Sequence, residues 1–137
     1  MQETAPQPRL DLVDVVRARL MEAGIRDVFP YPPDSREHPE CAVVRFGVPG
    51  PQEQYFDLGF DTAVRISVMV RRIRDLDAMA DAYAAERALR TSPLDSSNGS
   101  YRMISIETTR PRPVAWDESG RDVWVVEATA HIEIKEF

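Results

Sequence analysis

Residues 62–90, TAVRISVMVRRIRDLDAMADAYAAERALR, decide the fold class, because a strand pattern passes directly into a helix pattern within them. Apolar and polar residues alternate in the first half as far as Arg71, which is the period of a half-buried strand. The second half is rich in alanine and follows Asp75, a residue type that often caps the start of a helix. The stretch therefore predicts a strand over about 62–73 and a helix over about 76–90.

The predicted helix has one apolar side, which we expect to pack against a sheet. Its members recur at three- and four-residue spacing, as residues on one side of a helix do. They are Leu76, Met79, Ala80, Tyr83 and Ala84. The small alanines on this side would allow the helix to lie close to the strands below it.

A first helix and a short strand are predicted before this stretch. Residues 10–23 carry an apolar stripe, and Gly24 is a suitable C-terminal stop for a helix. The stripe consists of Leu12, Val13, Val16 and Leu20. Several prolines break regular structure within residues 26–40, which we predict to form a surface loop. Residues 41–47 then predict a short strand.

The C-terminal part of the chain has the pattern of a hairpin. One strand is predicted over residues 101–110 and another over 122–135, joined by residues 111–121. The second strand alternates sharply, and we expect its apolar set to face the core. That set is Trp124, Val126, Ala128, Ala130, Ile132 and Ile134.

These elements, in the order α-β-β-α-β-β, predict an α+β fold. Hairpin-type connections favour an antiparallel sheet of about four strands, with two helices packed on its one apolar face. The other face is polar, and it is either solvated or set against a partner. It carries Arg65, Ser67, Arg71, Glu107, Thr109, Glu127, His131, Glu133 and Lys135. Residues 1–9 are predicted to be a flexible N-terminal arm and residues 10–137 a single domain.

The composition bounds the class of protein. The chain has 137 residues, of which 43% are hydrophobic, and this suits one domain with a real core. Its formal net charge of −6 argues against tight non-specific binding to nucleic acid, which depends on lysine and arginine contacts to phosphates. We expect no membrane partner and no signal-peptide export, because no suitable apolar stretch occurs. The single cysteine, Cys41, permits no disulfide within the chain.

Residues that could catalyse a reaction or hold a metal form no recognisable pattern in the sequence. His38, Cys41 and His131 are too few for a structural zinc site, which needs about four such ligands. Glutamates of the polar face could supply paired carboxylates, but arginines on the same face make cross-strand ion pairs the better explanation. We therefore predict no catalytic residues, no metal and no cofactor.

Candidate protein-interface residues lie in three places: a long loop over residues 48–60, an arginine cluster before the second helix, and the turn of the closing hairpin. The loop residues either fold back onto the sheet or insert against a neighbouring subunit, where aromatic and arginine side chains dominate binding. The arginines are either solvated or in contact with an acidic neighbour. The candidates are Tyr55, Phe56, Leu58 and Phe60 in the loop, Arg71, Arg72 and Arg74 in the cluster, and Trp116, Asp117, Glu118 and Arg121 in the turn.

Three segments resemble the phage tail-terminator, or tail-completion, proteins, a group also described as minor capsid or head–tail joining proteins. The first is an amphipathic helix that ends at Gly24 and is followed by a proline-rich loop, FPYPPD, at residues 29–34. The second is a valine-rich strand with a charged turn and an alanine-rich helix, VRISVMVRRIRDLDAMADAYAAERAL, at residues 64–89. The third is a closing hairpin, RPVAWDESGRDVWVVEATAHIEI, at residues 112–134.

The resemblance implies a structural virion protein of the tail and head–tail interface, made in the host cytoplasm. It implies a ring of copies of the chain, commonly a hexamer, that binds the tail tube protein and docks to the head–tail connector proteins. DNA would only pass through the lumen, without specific binding. Two alternatives stay open. One is another connector or stopper protein of this junction; the other is a small-molecule-binding or catalytic α+β domain, with a pocket near Tyr83, Trp124 or His131.

Overall fold

The computed structural model describes residues 11–34, 36–47, 61–91, 94–115 and 122–134. Two helices and six strands follow one another in these ranges, which confirms the predicted α+β class. They are α1 (Leu12–Glu22), β1 (Val28–Phe29), β2 (Cys41–Gly47), β3 (Asp61–Arg71), α2 (Asp75–Thr91), β4 (Tyr101–Thr108), β5 (Arg112–Ala115) and β6 (Asp122–Ile134).

The strands form one mixed sheet in the order β1-β2-β3-β6-β4, with β5 also paired to β6. β1 runs parallel to β2, and the other pairings are antiparallel. β6 is the longest strand; one of its edges pairs with β3, and the other pairs first with β5 and then with β4. Both helices pack on the same side of this sheet, α1 over β1 and β2, and α2 over β3, β6 and β4.

Two strands lie in segments that were predicted to be loops. β1 has two residues and β5 has four, so neither is long enough for an alternating pattern to show. Pro113 of β5 pairs with Trp124 at the edge of the sheet, where a residue without an N–H group is tolerated. The predicted hairpin of β4 and β6 is confirmed, but β5 forms part of the connection between them.

Helix α2 turns a different side to the sheet from the one predicted. Its buried side chains are Ala78, Ala82, Ala85, Ala88 and Leu89. The predicted set was wrong, because three of its members are exposed and the other two only partly buried. These are Leu76, Ala80 and Tyr83, and then Met79 and Ala84. The physical reason is distance: alanine lets the helix backbone approach the strands, whereas leucine and tyrosine on that side would hold the helix away.

Helix α1 buries three of the four predicted stripe residues, whereas Val13 is only partly buried, and it ends where the sequence indicates. Leu12, Val16 and Leu20 are fully buried, and Val15 joins them in the core. Gly24 follows the helix with a φ angle of 93°. Side chains with a Cβ atom rarely adopt this conformation, so glycine is the residue that lets the chain leave the helix here.

Asp11 ties the start of α1 to the connection between α2 and β4. Its carboxylate accepts hydrogen bonds from the hydroxyls of Ser96 (2.8 Å) and Ser100 (3.1 Å). It also accepts from the backbone N–H groups of Ser97 (2.8 Å) and Asn98 (3.1 Å). Burial alone would raise the pKa of Asp11, but these hydrogen bonds outweigh it and lower the pKa below its usual value.

The sheet face away from the helices, here called the outer face, is polar only in part. At one end Cys41, Val43 and Val123 are buried on this face, and Pro32 lines a small cleft together with them. The proline-rich loop therefore lies against an apolar end of the outer face. The polar remainder is open to solvent in the described residues, but Arg71 of the predicted set is buried. Lys135 of that set lies outside the described residues.

Candidate interaction surfaces

Most of the predicted interface residues lie outside the described residues, so their role stays a prediction. They are Tyr55, Phe56, Leu58 and Phe60 of the long loop and Trp116, Asp117, Glu118 and Arg121 of the hairpin turn. The three arginines of the remaining cluster can be placed, at the junction between β3 and α2.

Arg72 lies inside the protein, where it joins three segments of the chain. Its side chain is 0% exposed. The guanidinium donates from Nε to Oδ2 of Asp81 at 2.8 Å and from Nη2 to the backbone carbonyl of Arg26 at 2.8 Å. The carboxylate of Asp27 lies 4.0 Å from Nη1. A buried charge requires such partners, so this guanidinium serves the fold and neither solvent nor a neighbour reaches it.

The other two arginines of the cluster differ in exposure: the side chain of Arg71 is buried, and that of Arg74 is exposed. Arg71 donates to the backbone carbonyls of Pro39 (3.2 Å) and His38 (2.8 Å), which fixes the loop before β2. The side chain of Arg74 is exposed, and its backbone carbonyl accepts hydrogen bonds from the first turn of α2. The helix therefore begins at Asp75, so Asp75 is its first residue and Arg74, not Asp75 as predicted, occupies the N-cap position. Within the cluster, only Arg74 is placed for contact with a partner.

A surface ion pair fixes the same junction. Glu40 accepts hydrogen bonds from the Arg26 guanidinium at 2.8 Å and from the backbone N–H of Ile73 at 3.1 Å. The hydrogen bond from Ile73 lowers the pKa of Glu40, and the bond from Arg26 adds to this effect, so that desolvation is outweighed. The carboxylate stays ionised at neutral pH and holds the backbone that carries the Ile73 side chain into solvent.

An apolar patch lies on the solvent side of α2, next to this junction. Leu76, Ile73 and Tyr83 are 65%, 58% and 43% exposed. The ring of Tyr83 packs on that of Trp124 with centroids 6.4 Å apart, and the Trp124 indole N–H donates to the Asp75 carboxylate at 3.1 Å. We call Ile73, Leu76, Tyr83 and Trp124 the α2 patch. Clustered apolar side chains that a helix holds in solvent are typical of a protein-binding surface.

The α2 patch was missed because the helix carries two apolar stripes. One consists mainly of alanines and the other includes Leu76 and Tyr83. Periodicity gives the bulkier stripe more weight and assigns it to the core. The signal that could have found the patch is that a single helix packed on one sheet face cannot bury both stripes.

The open part of the outer face forms a shallow polar groove across β3, β6 and β4. Its polar lining residues are Arg65, Ser67, Glu107, Thr108, Thr109, Glu127 and Thr129. In the strand register Thr129 lies between Arg65 on β3 and Glu107 on β4. Glu127 pairs with Arg112 of β5 at 3.0 Å, so a cross-strand ion pair does form on this face, although its cation was not among those predicted.

The side chains that were considered as possible metal ligands or as the lining of a ligand pocket pack against other side chains of the protein or are buried. His38 packs its ring against Phe29 at 5.0 Å, and burial raises the pKa of the Cys41 thiol. Tyr83 and Trp124, near which a ligand pocket was considered, pack on each other. Within the described ranges there is no group of three or more His, Cys, Asp and Glu side chains that could hold a metal ion.

Neither described helix is long and apolar enough to cross a membrane.

A comparison with known protein families gives a match over residues 19–134, to the bacteriophage tail terminator proteins. The match runs from within α1 to the end of β6 and so covers most of the chain. The chain belongs to this family. The resemblance seen in three segments of the sequence is thereby confirmed, and this tail terminator family member is a structural protein of the phage virion.

Among solved structures, a chain of the "Virion of native gene transfer agent (GTA) particle" is similar to this tail terminator family member. The TM-score is 0.59 at 18% sequence identity, over 89% of this chain and 91% of that chain. At this identity the likeness shows that the two chains share a fold. A search of curated proteins gave no match.

Proposed function

We propose that the chain is the subunit of a sixfold ring that caps the tail tube and joins it to the head–tail connector. The observation that carries this proposal is the family match over residues 19–134. In this role the protein acts by binding other proteins and turns over no substrate. Copies of itself, the tail tube protein and the connector proteins are its partners.

The α2 patch supports the proposal because it supplies a surface for such a partner. Leu76 and Tyr83 stand on a helix whose opposite side is locked to the sheet by closely packed alanines. Trp124 is held by its hydrogen bond to Asp75, so little side-chain freedom remains to be lost on binding. Rigid apolar and aromatic anchors of this kind carry most of the binding energy in protein interfaces.

Two sequence segments are proposed as further contact regions of the same assembly. These are the loop over residues 48–60, with its aromatic side chains, and the hairpin connection over residues 112–121. The second segment lies next to Trp124 in sequence and pairs its first strand, β5, with the start of β6. Strand β5 therefore lies at the same end of the sheet as Trp124 of the α2 patch, and we propose that one neighbour covers both.

The charge of the chain fits a lumen through which DNA passes. A formal charge of −6 per copy gives a ring a net negative potential. Such a wall repels phosphates and does not hold the duplex, whereas a strongly basic lumen would retain it. We propose that DNA contacts the ring only in passing.

Electron microscopy of purified protein mixed with tail tubes tests the proposed function. The expected result is a sixfold ring at one end of each tube. Leu76→Glu should reduce the fraction of capped ends at least about tenfold, because it places a charge in an apolar contact. Met21→Glu is the matched control: Met21 is 51% exposed on α1 and does not belong to the α2 patch, and its change should leave capping unaltered. Tubes that remain uncapped with wild-type protein would overturn the proposal.

A further inference from the structure

The outer face of the sheet carries charges of opposite sign at its two edges. β4 is the last strand at one edge, and it carries Glu107. At the other edge β1 pairs only with Ala42 and Val43 of β2, so the described strands leave the far half of β2 as a free edge. Arg45 lies on that half, and Arg65 lies on β3, one strand further in.

The strand register places these charges on one face. Arg65 is opposite Thr129, which is opposite Glu107, so the three residues form one row across the sheet. Two strand spacings separate Arg65 from Glu107, which is roughly 10 Å. Arg45 lies in the next row, opposite Ser67. Thr129 therefore separates Arg65 from Glu107 in this row, and Arg45 lies one strand further from Glu107 than Arg65 does.

These three charged side chains are exposed, and among the described residues none has an ion-pair partner. Their neighbours differ: Glu127 pairs with Arg112 at 3.0 Å and Glu133 with Arg102 at 3.3 Å. Among the residues that the structure describes, Glu127 and Glu133 are thus paired within one copy. In the same ranges, Glu107 on β4 is an unpaired carboxylate, and Arg45 on β2 and Arg65 on β3 are unpaired guanidinium groups.

We propose that copies of this chain pack side by side, with Glu107 at the β4 edge of one copy against Arg45 on the β2 edge of the next copy and Arg65 on the adjoining strand β3. The inference rests on the proposed ring and names the surface through which it closes. A head-to-tail ring needs two different, complementary patches on each subunit. The two sides of this sheet meet the requirement because they carry unpaired charges of opposite sign. A second copy of the chain presents its arginines to Glu107 of the first copy.

Charge reversal tests this contact. Glu107→Arg alone and Arg45→Glu alone should each weaken self-association about tenfold per contact, because like charges then meet. Glu37→Arg makes the same change of charge on an exposed residue of the loop before β2, and it should assemble as wild type. The readout is the sedimentation profile of each protein mixed with tail tubes.

Mixing the two reversed chains gives the sharper result. Each chain keeps one wild-type edge, so contacts between unlike chains are complementary on both sides, whereas contacts between like chains are repulsive. An equimolar mixture should therefore assemble as well as wild type, with the two chains in a 1:1 ratio. Recovery of assembly would also show that both variants are folded.

The outcomes separate this inference from the proposed function. If wild type forms rings and Glu107→Arg does so equally well, or the mixture fails to recover, the edge contact is wrong and the ring stands. If the mixture recovers only as a dimer, the charges pair between two opposed faces, and the head-to-tail arrangement is overturned. If wild type forms no ring on any tube, both proposals fail together.

Discussion

The two faces of strand β3 differ in what covers them. Val64, Ile66 and Val68 point to the helices and are buried in the core. Arg65 and Ser67, which alternate with them, line an open groove on the outer face. The same eleven-residue strand therefore contributes to stability on one side and to a surface free for partners on the other. Substitutions on the covered side should act on folding, and substitutions on the open side should act on assembly.

The largest difference in unfolding free energy is expected between a carboxylate placed on the covered face of β3 and one placed on its outer face. Val68→Asp buries a charge without a partner and should destabilise the fold by about 5 kcal/mol or more. Ser67→Asp, one residue earlier on the outer face, should cost about 1 kcal/mol or less. Denaturant unfolding of both variants measures the difference. Similar losses from the two substitutions would mean that the outer face is also packed.

A second contrast is that between the buried and the exposed arginine of one cluster. Arg72→Met removes three partners of a fully buried guanidinium and should cost about 3 kcal/mol. Arg74→Met, two residues further on, should change the unfolding free energy by no more than about 0.5 kcal/mol. Thermal unfolding monitored by circular dichroism compares them. A stable Arg72→Met protein would contradict the structural role of the Asp81 and Arg26 contacts.

The two sides of α2 extend the comparison from the sheet to a helix. Ala82 is fully buried against the strands, so Ala82→Leu should push the helix outward and cost about 1–3 kcal/mol. Ala80 is exposed on the same helix, and Ala80→Leu should be within about 0.5 kcal/mol of wild type. Chemical denaturation midpoints provide the test. A tolerated Ala82→Leu would show that the helix does not approach the sheet as closely as described.

The smallest effect concerns Asp11, which links α1 to the 96–100 turn. Because its pKa is lowered in the folded protein, its carboxylate stabilises the fold above its ordinary pKa of 3.8, and this contribution is lost as the pH falls through the folded-state value. Asp11→Asn should therefore cost about 1 kcal/mol at pH 7 and progressively less as the pH falls through the lowered pKa of Asp11. Unfolding free energies measured over this pH range test the sign. An equal loss throughout would assign the effect to packing instead.

Strong periodicity made most of the fold predictable. The alternation in β3 and β6 placed both strands and their buried sides, and Gly24 marked the end of α1. Short elements carried no such signal. β1 and β5 exist because neighbouring strands offer them a free edge, which is a property of the assembled sheet and not of their own residues.

The candidate surfaces were less predictable, because exposure depends on packing. Leu76 and Tyr83 were assigned to the core by their hydrophobicity, yet alanines occupy the sheet-facing side of the helix. Arg72 was expected at the surface by its charge, yet Asp81 and a backbone carbonyl satisfy it inside the protein. Whether such a side chain is buried or exposed depends on partners that lie far away in the sequence. A single sequence does not show which residues these partners are.

The most direct measurement is a cryo-electron microscopy reconstruction of wild-type protein on the end of a tail tube. It should show a sixfold ring in which neighbours cover the α2 patch and copies meet edge to edge across the outer face, while the core between sheet and helices stays as described. A chain bound as a single copy would contradict the claim that the exposed surfaces of this protein bind its neighbours in an assembly. A ring in which the α2 patch and the outer face both stay in solvent would contradict it as well.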